Sequence, residues 1–219
     1  MGRLSASILS ADFARLGEQV KLIEPWAETI HVDIMDGRFV PPLTIGPVVV
    51  ASLRKVTDRT LHGHLMVESP EALLDELADA GMDVVSFHVE AVSEPSPVIR
   101  KARDAGMRTG MTINPQTPPD QLFPFLDDLD DVMVMGVNPG WAGQSFIPES
   151  LSKLEELRRE LDRRGSQADL EIDGGVKVEN ARRCVSAGAS VLVVASAIFQ
   201  APDPAAAAAE LAAIAEGEG

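Results

Sequence analysis

Between residues 29 and 35 the chain alternates. Thr29, His31, Asp33 and Met35 interleave with Ile30, Val32 and Ile34. Side chains two apart share a face of a strand, so the aliphatics form one face and His31, Asp33 and Met35 the other. A strand open to water on one side carries ordinary solvated residues there. A histidine, a carboxylate and a thioether suit a site better, and Asp36-Gly37 ends the run with turn chemistry. Taken alone, the stretch fits a site and a surface strand equally well.

Apolar runs at 4–9, 60–67, 83–88, 108–113, 131–137, 170–173 and 190–194 predict further strands, and between them the period lengthens to that of helices. Ser10 stands as a cap for a helix carrying Leu16, Val20 and Ile23, and Pro47 opens a short helix to Leu53. Ser69-Pro70-Glu71 has the signature of a helix start before Leu73, Leu74 and Leu77. Residues 97–105 form a helix stopped by Gly106, and the loop at 114–119 precedes a short helix ending near Leu126. Leu151, Leu154, Leu157 and Leu161 make one stripe of a helix at 148–164, which Gly165 stops. Residues 180–187 form another, and the Ala-rich run 204–215 closes the chain as a helix. Ala80-Gly81, Ala105-Gly106 and Ala187-Gly188 each end a helix just before a strand. Alternating strands and helices call for a parallel sheet, and eight similar units of about 27 residues favour a closed (βα)8 TIM barrel over a doubly wound sheet. No Gly-x-Gly-x-x-Gly follows an early strand, so the dinucleotide-binding version lacks its fingerprint.

The 219 residues fit one such barrel as a single domain, 1–219, with 45% hydrophobic and 24% charged residues. A net charge of −15 argues against nucleic acid and against anionic membranes as partners. No apolar run approaches the roughly 20 residues of a membrane helix. The single cysteine, Cys184, suits a reducing cytoplasm, and its place in a helical stretch favours a buried structural thiol. An anionic ligand on so acidic a chain must be held locally, by backbone N–H groups or a metal.

In a barrel the site lies at the C-terminal ends of the strands. Those ends carry Ser7, then His31, Asp33 and Met35, then His64 and Met66, His88, Asn114, Met135 and Asp173. Neutral imidazoles with carboxylates make a divalent-metal set, and His31, Asp33, His64 and Asp173 together can close one ion. Zn²⁺ comes first, with Fe²⁺, Mn²⁺ or Co²⁺ as alternatives. Small residues after the last three strands suit a phosphate group, because they let backbone N–H groups approach an anion: Asn138-Pro139-Gly140-Trp141-Ala142-Gly143, Asp173-Gly174-Gly175 and Ala195-Ser196-Ala197.

These residues carry a family resemblance. Ser7-Ile8-Leu9-Ser10-Ala11-Asp12-Phe13, the stretch 31–40, His64-Leu65-Met66, His88-Val89-Glu90-Ala91, Val137-Asn138-Pro139-Gly140, Asp173-Gly174-Gly175 and Ser196-Ala197-Ile198-Phe199 resemble ribulose-phosphate 3-epimerase along nearly the whole chain. The resemblance implies a metal-dependent barrel that interconverts D-ribulose 5-phosphate and D-xylulose 5-phosphate in the pentose phosphate pathway. It implies an acid/base pair at Asp33 and Asp173, and a metal held by His31, Asp33, His64 and Asp173. Ser7 and His64 would touch substrate, Met35, Met66 and Met135 would cover the reacting carbons, and a homo-oligomer is expected. Gly140, Trp141, Ala142, Gly143, Gly174, Gly175, Ala195 and Ser196 match the positions that hold the phosphate. The residues alone fit core methionines at strand ends as well as a methionine cover. They leave His88 either behind the site or purely structural, Asp36 in the turn, and Glu171 orienting rather than reacting.

The chain departs from the family pattern at His62, where Asp is usual, and at Gly63, where a larger residue is. Trp141-Ala142 replaces Phe-Gly, Ala195 replaces Gly, Gly136 a hydroxyl residue, and Ala6 and Pro42 replace Pro and Asn. Alternatives are therefore an epimerase of a longer ketose phosphate such as allulose 6-phosphate, or a sugar-phosphate-binding barrel without activity. Decarboxylases and aldolases on related barrels use Asp-x-Lys at a strand tip. Asp33-Ile34-Met35-Asp36 has no lysine.

Overall fold

The strand pattern closes on itself. In a computed structural model, which describes residues 2–217, eight parallel strands pair in chain order and the last pairs with the first. They are β1 (Arg3–Ser7), β2 (Thr29–Met35), β3 (Thr60–Met66), β4 (Val84–His88), β5 (Arg108–Ile113), β6 (Asp131–Met135), β7 (Asp169–Asp173) and β8 (Val191–Val194). Around them run α1 (Leu16–Ile23), α2 (Pro47–Arg54), α3 (Leu74–Asp79), α4 (Pro95–Asp104), α5 (Ser150–Arg164), α6 (Val178–Ser186), α7 (Ser196–Phe199) and α8 (Pro204–Glu216). This is the TIM barrel that the alternation predicts. Among the described residues, no helix is long and apolar enough to cross a membrane.

Period-two alternation sorts each strand between two environments. Ile30, Val32 and Ile34 of β2, Leu61 and Leu65 of β3, and Ile172 of β7 are buried in one outer core with Leu154, Leu157 and Leu161 of α5. Each such side chain contributes about 1.5–3 kcal/mol relative to exposure. With the apolar core outside the barrel wall, the interior is free to be polar. Register stacks that interior in layers: His31 lies beside His62, Asp33 beside His64, and Met35 beside Met66.

Three local expectations change. Ser10 ends a 3-10 turn, Ile8–Ser10, and a second turn, Phe13–Arg15, follows with Asp12 accepting from the Ala14 N–H at 3.0 Å before α1 begins. Ser69 makes no side-chain cap bond, because Pro70–Ala72 takes a 3-10 turn first and α3 starts at Leu74. Between β5 and β6 a 3-10 run, Pro119–Asp128, replaces an α-helix. Pro124 inside it has no N–H to donate, which removes an α-helical bond at its centre. The Ala-Gly closures form as expected. Gly81, Gly106 and Gly188 sit at φ of +91°, +87° and +107°, and the residues after them donate back to Leu77, Ala102 and Cys184 at 3.0–3.1 Å.

A polar layer lies low in the barrel. His62 Nε2 is 2.6 Å from Ser86 Oγ, and Ser86 Oγ donates to Asp131 Oδ2 at 2.7 Å. His62 Nδ1 faces Glu171 Oε1 at 3.6 Å. Burial pushes the Asp131 carboxyl up to about 7. Gly110 makes room for it: a Cβ there would lie 2.1 Å from both Asp131 carboxylate oxygens. Gly110→Ala is therefore expected to destabilise the protein by about 1–3 kcal/mol in denaturant unfolding, since the carboxylate must leave its Ser86 bond or the strands must part. An unchanged midpoint would show that Asp131 moves aside freely.

Candidate active site

Strand ends at one mouth of the barrel bring the sequence-predicted donors together. His31 and His64 are completely buried, and Asp33 is 4% exposed. His31 Nε2 lies 3.6 Å from Asp33 Oδ1 and 3.8 Å from Asp173 Oδ2. His64 Nδ1 lies 3.4 Å from Asp33 Oδ1 and 3.2 Å from Asp173 Oδ2. Ligand atoms from all four residues fall within 4.8 Å of one another. Donors about 2.0–2.2 Å from a tetrahedral divalent ion stand about 3.4 Å apart, and the four histidine–aspartate pairs here stand 3.2–3.8 Å apart.

The nitrogens also need a partner. His31 Nε2 and His64 Nδ1 are buried without a hydrogen bond among the described residues. Each such orphan costs about 1–3 kcal/mol unless something meets it. A cation meets both, so His31, Asp33, His64 and Asp173 form a group fit to hold a divalent ion.

Electrostatics keep the carboxylate ready. Burial alone would raise the pKa of Asp33, but His31 and His64 beside it hold it well below the usual carboxylate range. Burial likewise opposes charge on His64, yet Asp173 and Asp33 outweigh it and hold the imidazole up at about 9. Ser7 Oγ donates to Asp33 Oδ2 at 2.6 Å, leaving Oδ1 for the histidine pair.

The backbone under Asp33 is clamped as well. Thr44 Oγ1 donates to the Asp33 carbonyl at 2.6 Å and accepts from the Met35 N–H at 2.9 Å. Asp36 does turn work: it accepts from the N–H groups of Arg38, Phe39 and Glu68, tying the loop after β2 to the end of β3.

An open cleft lies above this group. Ser7, Asp33, Met35, Met66, Met135, Gly140, Trp141, Ala142, Gly143, Asp173, Gly174, Gly175, Ala195 and Ser196 all line it. Every sequence-predicted substrate residue is thus on one wall or another except His64, which is buried beneath. Trp141 is 56% exposed on a loop closed over its own base by Gln144, whose Nε2 donates to the carbonyls of Asn138 and Trp141. The sequence reading missed Leu9, Val137, Val176 and Val193, which also line the cleft with Pro139 of the expected phosphate loop. Leu9 and Val137 each lie two residues beyond a predicted wall residue, Ser7 and Met135, and inside the apolar runs 4–9 and 131–137, which is the signal for them although the strands end at Ser7 and Met135.

Two residues left open now have positions. His88 stands behind His64, their Nε2 atoms 2.9 Å apart. His62 lies below the site, its ring centroid 5.3 Å from that of His31 in an edge-on contact.

Comparison with known proteins shows the family. The sequence profile of the ribulose-phosphate 3 epimerase family matches residues 3–199. The ribulose-phosphate 3-epimerase of Synechocystis sp. is 46% identical over 203 residues, 91% of this chain and 88% of that one. Those of Bacillus subtilis and Escherichia coli K12 are each 44% identical over 91% of this chain, and over 93% and 90% of their own. Among solved structures, a 3-hexulose-6-phosphate synthase overlays with a TM-score of 0.74 at 20% identity, covering 97% of this chain and 99% of the other. Orotidine 5'-phosphate decarboxylase from Pyrococcus horikoshii overlays with the same score at 16% identity, covering 98% and 99%. The structural likenesses speak for the barrel alone. With the family profile and relatives near 45% identity both spanning nearly all of it, the chain belongs to the ribulose-phosphate 3-epimerase family.

Proposed function

We propose that this chain interconverts D-ribulose 5-phosphate and D-xylulose 5-phosphate, a step of the pentose phosphate pathway, with Asp33 and Asp173 moving the C3 proton. The observation that carries the reading is the convergence of these two carboxylates, with His31 and His64, on one point under the cleft. Inverting a carbon beside a ketone means taking its proton from one face and returning one to the other. Asp33, held ionised by its neighbours and steered by Ser7, is built to take a proton. Asp173 reaches the same point from β7, on the far side of the barrel interior, and serves the second face.

His31, Asp33, His64 and Asp173 would hold one divalent ion, Zn²⁺ first, with Fe²⁺, Mn²⁺ or Co²⁺ as alternatives. When bound it supplies positive charge that polarises the ketone and stabilises the enediolate. Met35, Met66 and Met135 line the cleft with no proton to give, so return of the proton is left to the aspartates. Gly140, Trp141, Ala142, Gly143, Gly174, Gly175, Ala195 and Ser196 lie where the phosphate would rest, their small side chains leaving backbone N–H groups open to it.

Exchange of the C3 proton of ribulose 5-phosphate with deuterated water tests the reading. Cation-replete protein is expected to wash deuterium into C3 of both epimers. Absence of exchange would leave a binding barrel and sink the proposal. Allulose 6-phosphate run in parallel decides chain length: faster turnover there would move the substrate to a hexulose phosphate.

The proposal extends to a homo-oligomer in the cytoplasm, supported by the exposure of Leu43 at 78% and Val48 at 83% and by the buried free thiol of Cys184. A monomer in light scattering would remove the first part, and fractionation with a membrane or secreted pool the second.

A further inference from the structure

His64 uses only one edge of its ring on the site. Nδ1 faces Asp33 and Asp173, while Nε2 lies 2.9 Å from Nε2 of His88. His88 Nδ1 is in turn 3.3 Å from Glu90 Oε2. Both rings are completely buried and lie end to end, their planes inclined by 18° and their centroids 5.0 Å apart, so each Nε2 points at the other. The Glu90 side chain is 23% exposed, so the row runs from the rim of the barrel to a candidate cation ligand.

Counting hydrogens gives this row a direction. Two facing imidazole nitrogens bond only when one carries a proton and the other is bare. A nitrogen that ligates a cation is bare, so His64 must then carry its proton on Nε2. That proton goes to His88, whose Nε2 must be bare. Neutral His88 therefore carries its own proton on Nδ1 and donates it to Glu90. The opposite order would put a proton on His64 Nδ1, aimed into the cation site, and would turn the bare Nδ1 of His88 toward a carboxylate lone pair. An ionised Glu90 selects the first order.

Glu90 is held firmly enough to do so. Its Oε1 accepts from the Asn114 N–H at 2.8 Å and from the Thr117 hydroxyl. The loop that supplies them is itself gathered by Lys153, whose Nζ donates to the carbonyls of Asn114, Pro115 and Thr117.

We propose that Glu90 is a positioning residue: acting through His88, it fixes the Nε2-protonated tautomer of His64 and keeps the Nδ1 lone pair aimed at the cation. The inference rests on the reading of His31, Asp33, His64 and Asp173 as the cation-holding group. It assigns a function to a carboxylate that lies beyond the ligands and outside the cleft lining.

Two measurements decide it. The chain has four histidines, so ¹⁵N spectra of the Zn²⁺-loaded protein can separate protonated from bare ring nitrogens. His64 is expected to be protonated at Nε2 and His88 at Nδ1, and a proton on Nε2 of His88 overturns the proposal. Co²⁺ titration against a competing chelator, followed by visible absorption, gives affinity. Glu90→Gln is expected to weaken Co²⁺ binding by about tenfold or more, and Glu90→Asp, which keeps the charge, by less. Equal affinity in wild type and Glu90→Gln overturns the proposal, including the case where only the melting temperature of the cation-free protein falls. Wild type that binds no Co²⁺ overturns the cation reading itself, and this inference with it. The spectra need no variant, so the outcome stands even where Glu90→Gln fails to fold.

Discussion

Asp33→Asn and Asp173→Asn are each expected to slow interconversion of ribulose 5-phosphate and xylulose 5-phosphate by about 10²–10⁴-fold. Asparagine keeps the shape of aspartate, and Ser7 can still donate to the amide oxygen at position 33, so the site is not emptied. What is lost is the charge that accepts a proton and, at Asp33, the carboxylate that His31 and His64 hold ionised. Deuterium exchange sharpens the expectation. Removing one base leaves the other facing one side of C3, so each variant should exchange the C3 proton of one epimer and not invert it. The two variants should retain exchange with opposite epimers. Interconversion within tenfold of wild type in either variant would overturn the two-aspartate assignment. Cobalt affinity measured on both variants separates loss of the base from loss of the cation.

The line from sequence to site was legible where chemistry follows the period of a strand. Alternation at 29–35 placed His31, Asp33 and Met35 on one face, and the barrel turned that face inward. Residues a strand brings together by register were legible only once the circle closed. Asp33 pairs with His64 at neighbouring positions of β2 and β3, but nothing local to either stretch sets that register.

Contacts between loops were not legible at all. The Thr44 clamp on Asp33 spans 11 residues of sequence, and the Glu90 bond to Thr117 spans 27. Helix starts failed for a related reason. Serine at 10 and 69 has cap chemistry, but neighbouring turns took the backbone first.

The fold alone also says little about reaction type. A hexulose-phosphate synthase and an orotidine phosphate decarboxylase share the barrel at TM-scores of 0.74. Reaction type is carried by the strand tips, and in this chain Asp33-Ile34-Met35-Asp36 offers two carboxylates and no lysine amine.

Removing the cation is expected to leave a protein that loses stability as pH rises from about 6.5 to about 9, and restoring it should remove that loss. The sign follows from His64. Its ordinary value is 6.5, and in the fold Asp173 and Asp33 outweigh burial and hold it up at about 9. A group whose folded value is raised stabilises fully below its unfolded value and loses that contribution as pH passes its folded one. The shift corresponds to about 3 kcal/mol. Asp131, pushed up to about 7 by burial, loses its contribution earlier, between its ordinary 3.8 and 7. His88 runs the other way: burial holds it down at about 4, so its contribution is lost as pH falls from 6.5 toward 4. These two oppose each other on the acid side, and on the alkaline limb His64 is joined by His62, whose burial is outweighed by Glu171 and Asp131 so that it too is raised. With cation present, His64 must be neutral to ligate, so binding competes with a proton and strengthens as pH approaches 9. At a cation concentration of about 100 times Kd the gain is about 3 kcal/mol. The gap in melting temperature between cation-loaded and chelator-treated protein should therefore widen from pH about 6.5 to about 9, and His64→Gln should flatten it. A gap that narrows over that range would show that His64 is not held protonated between the two aspartates.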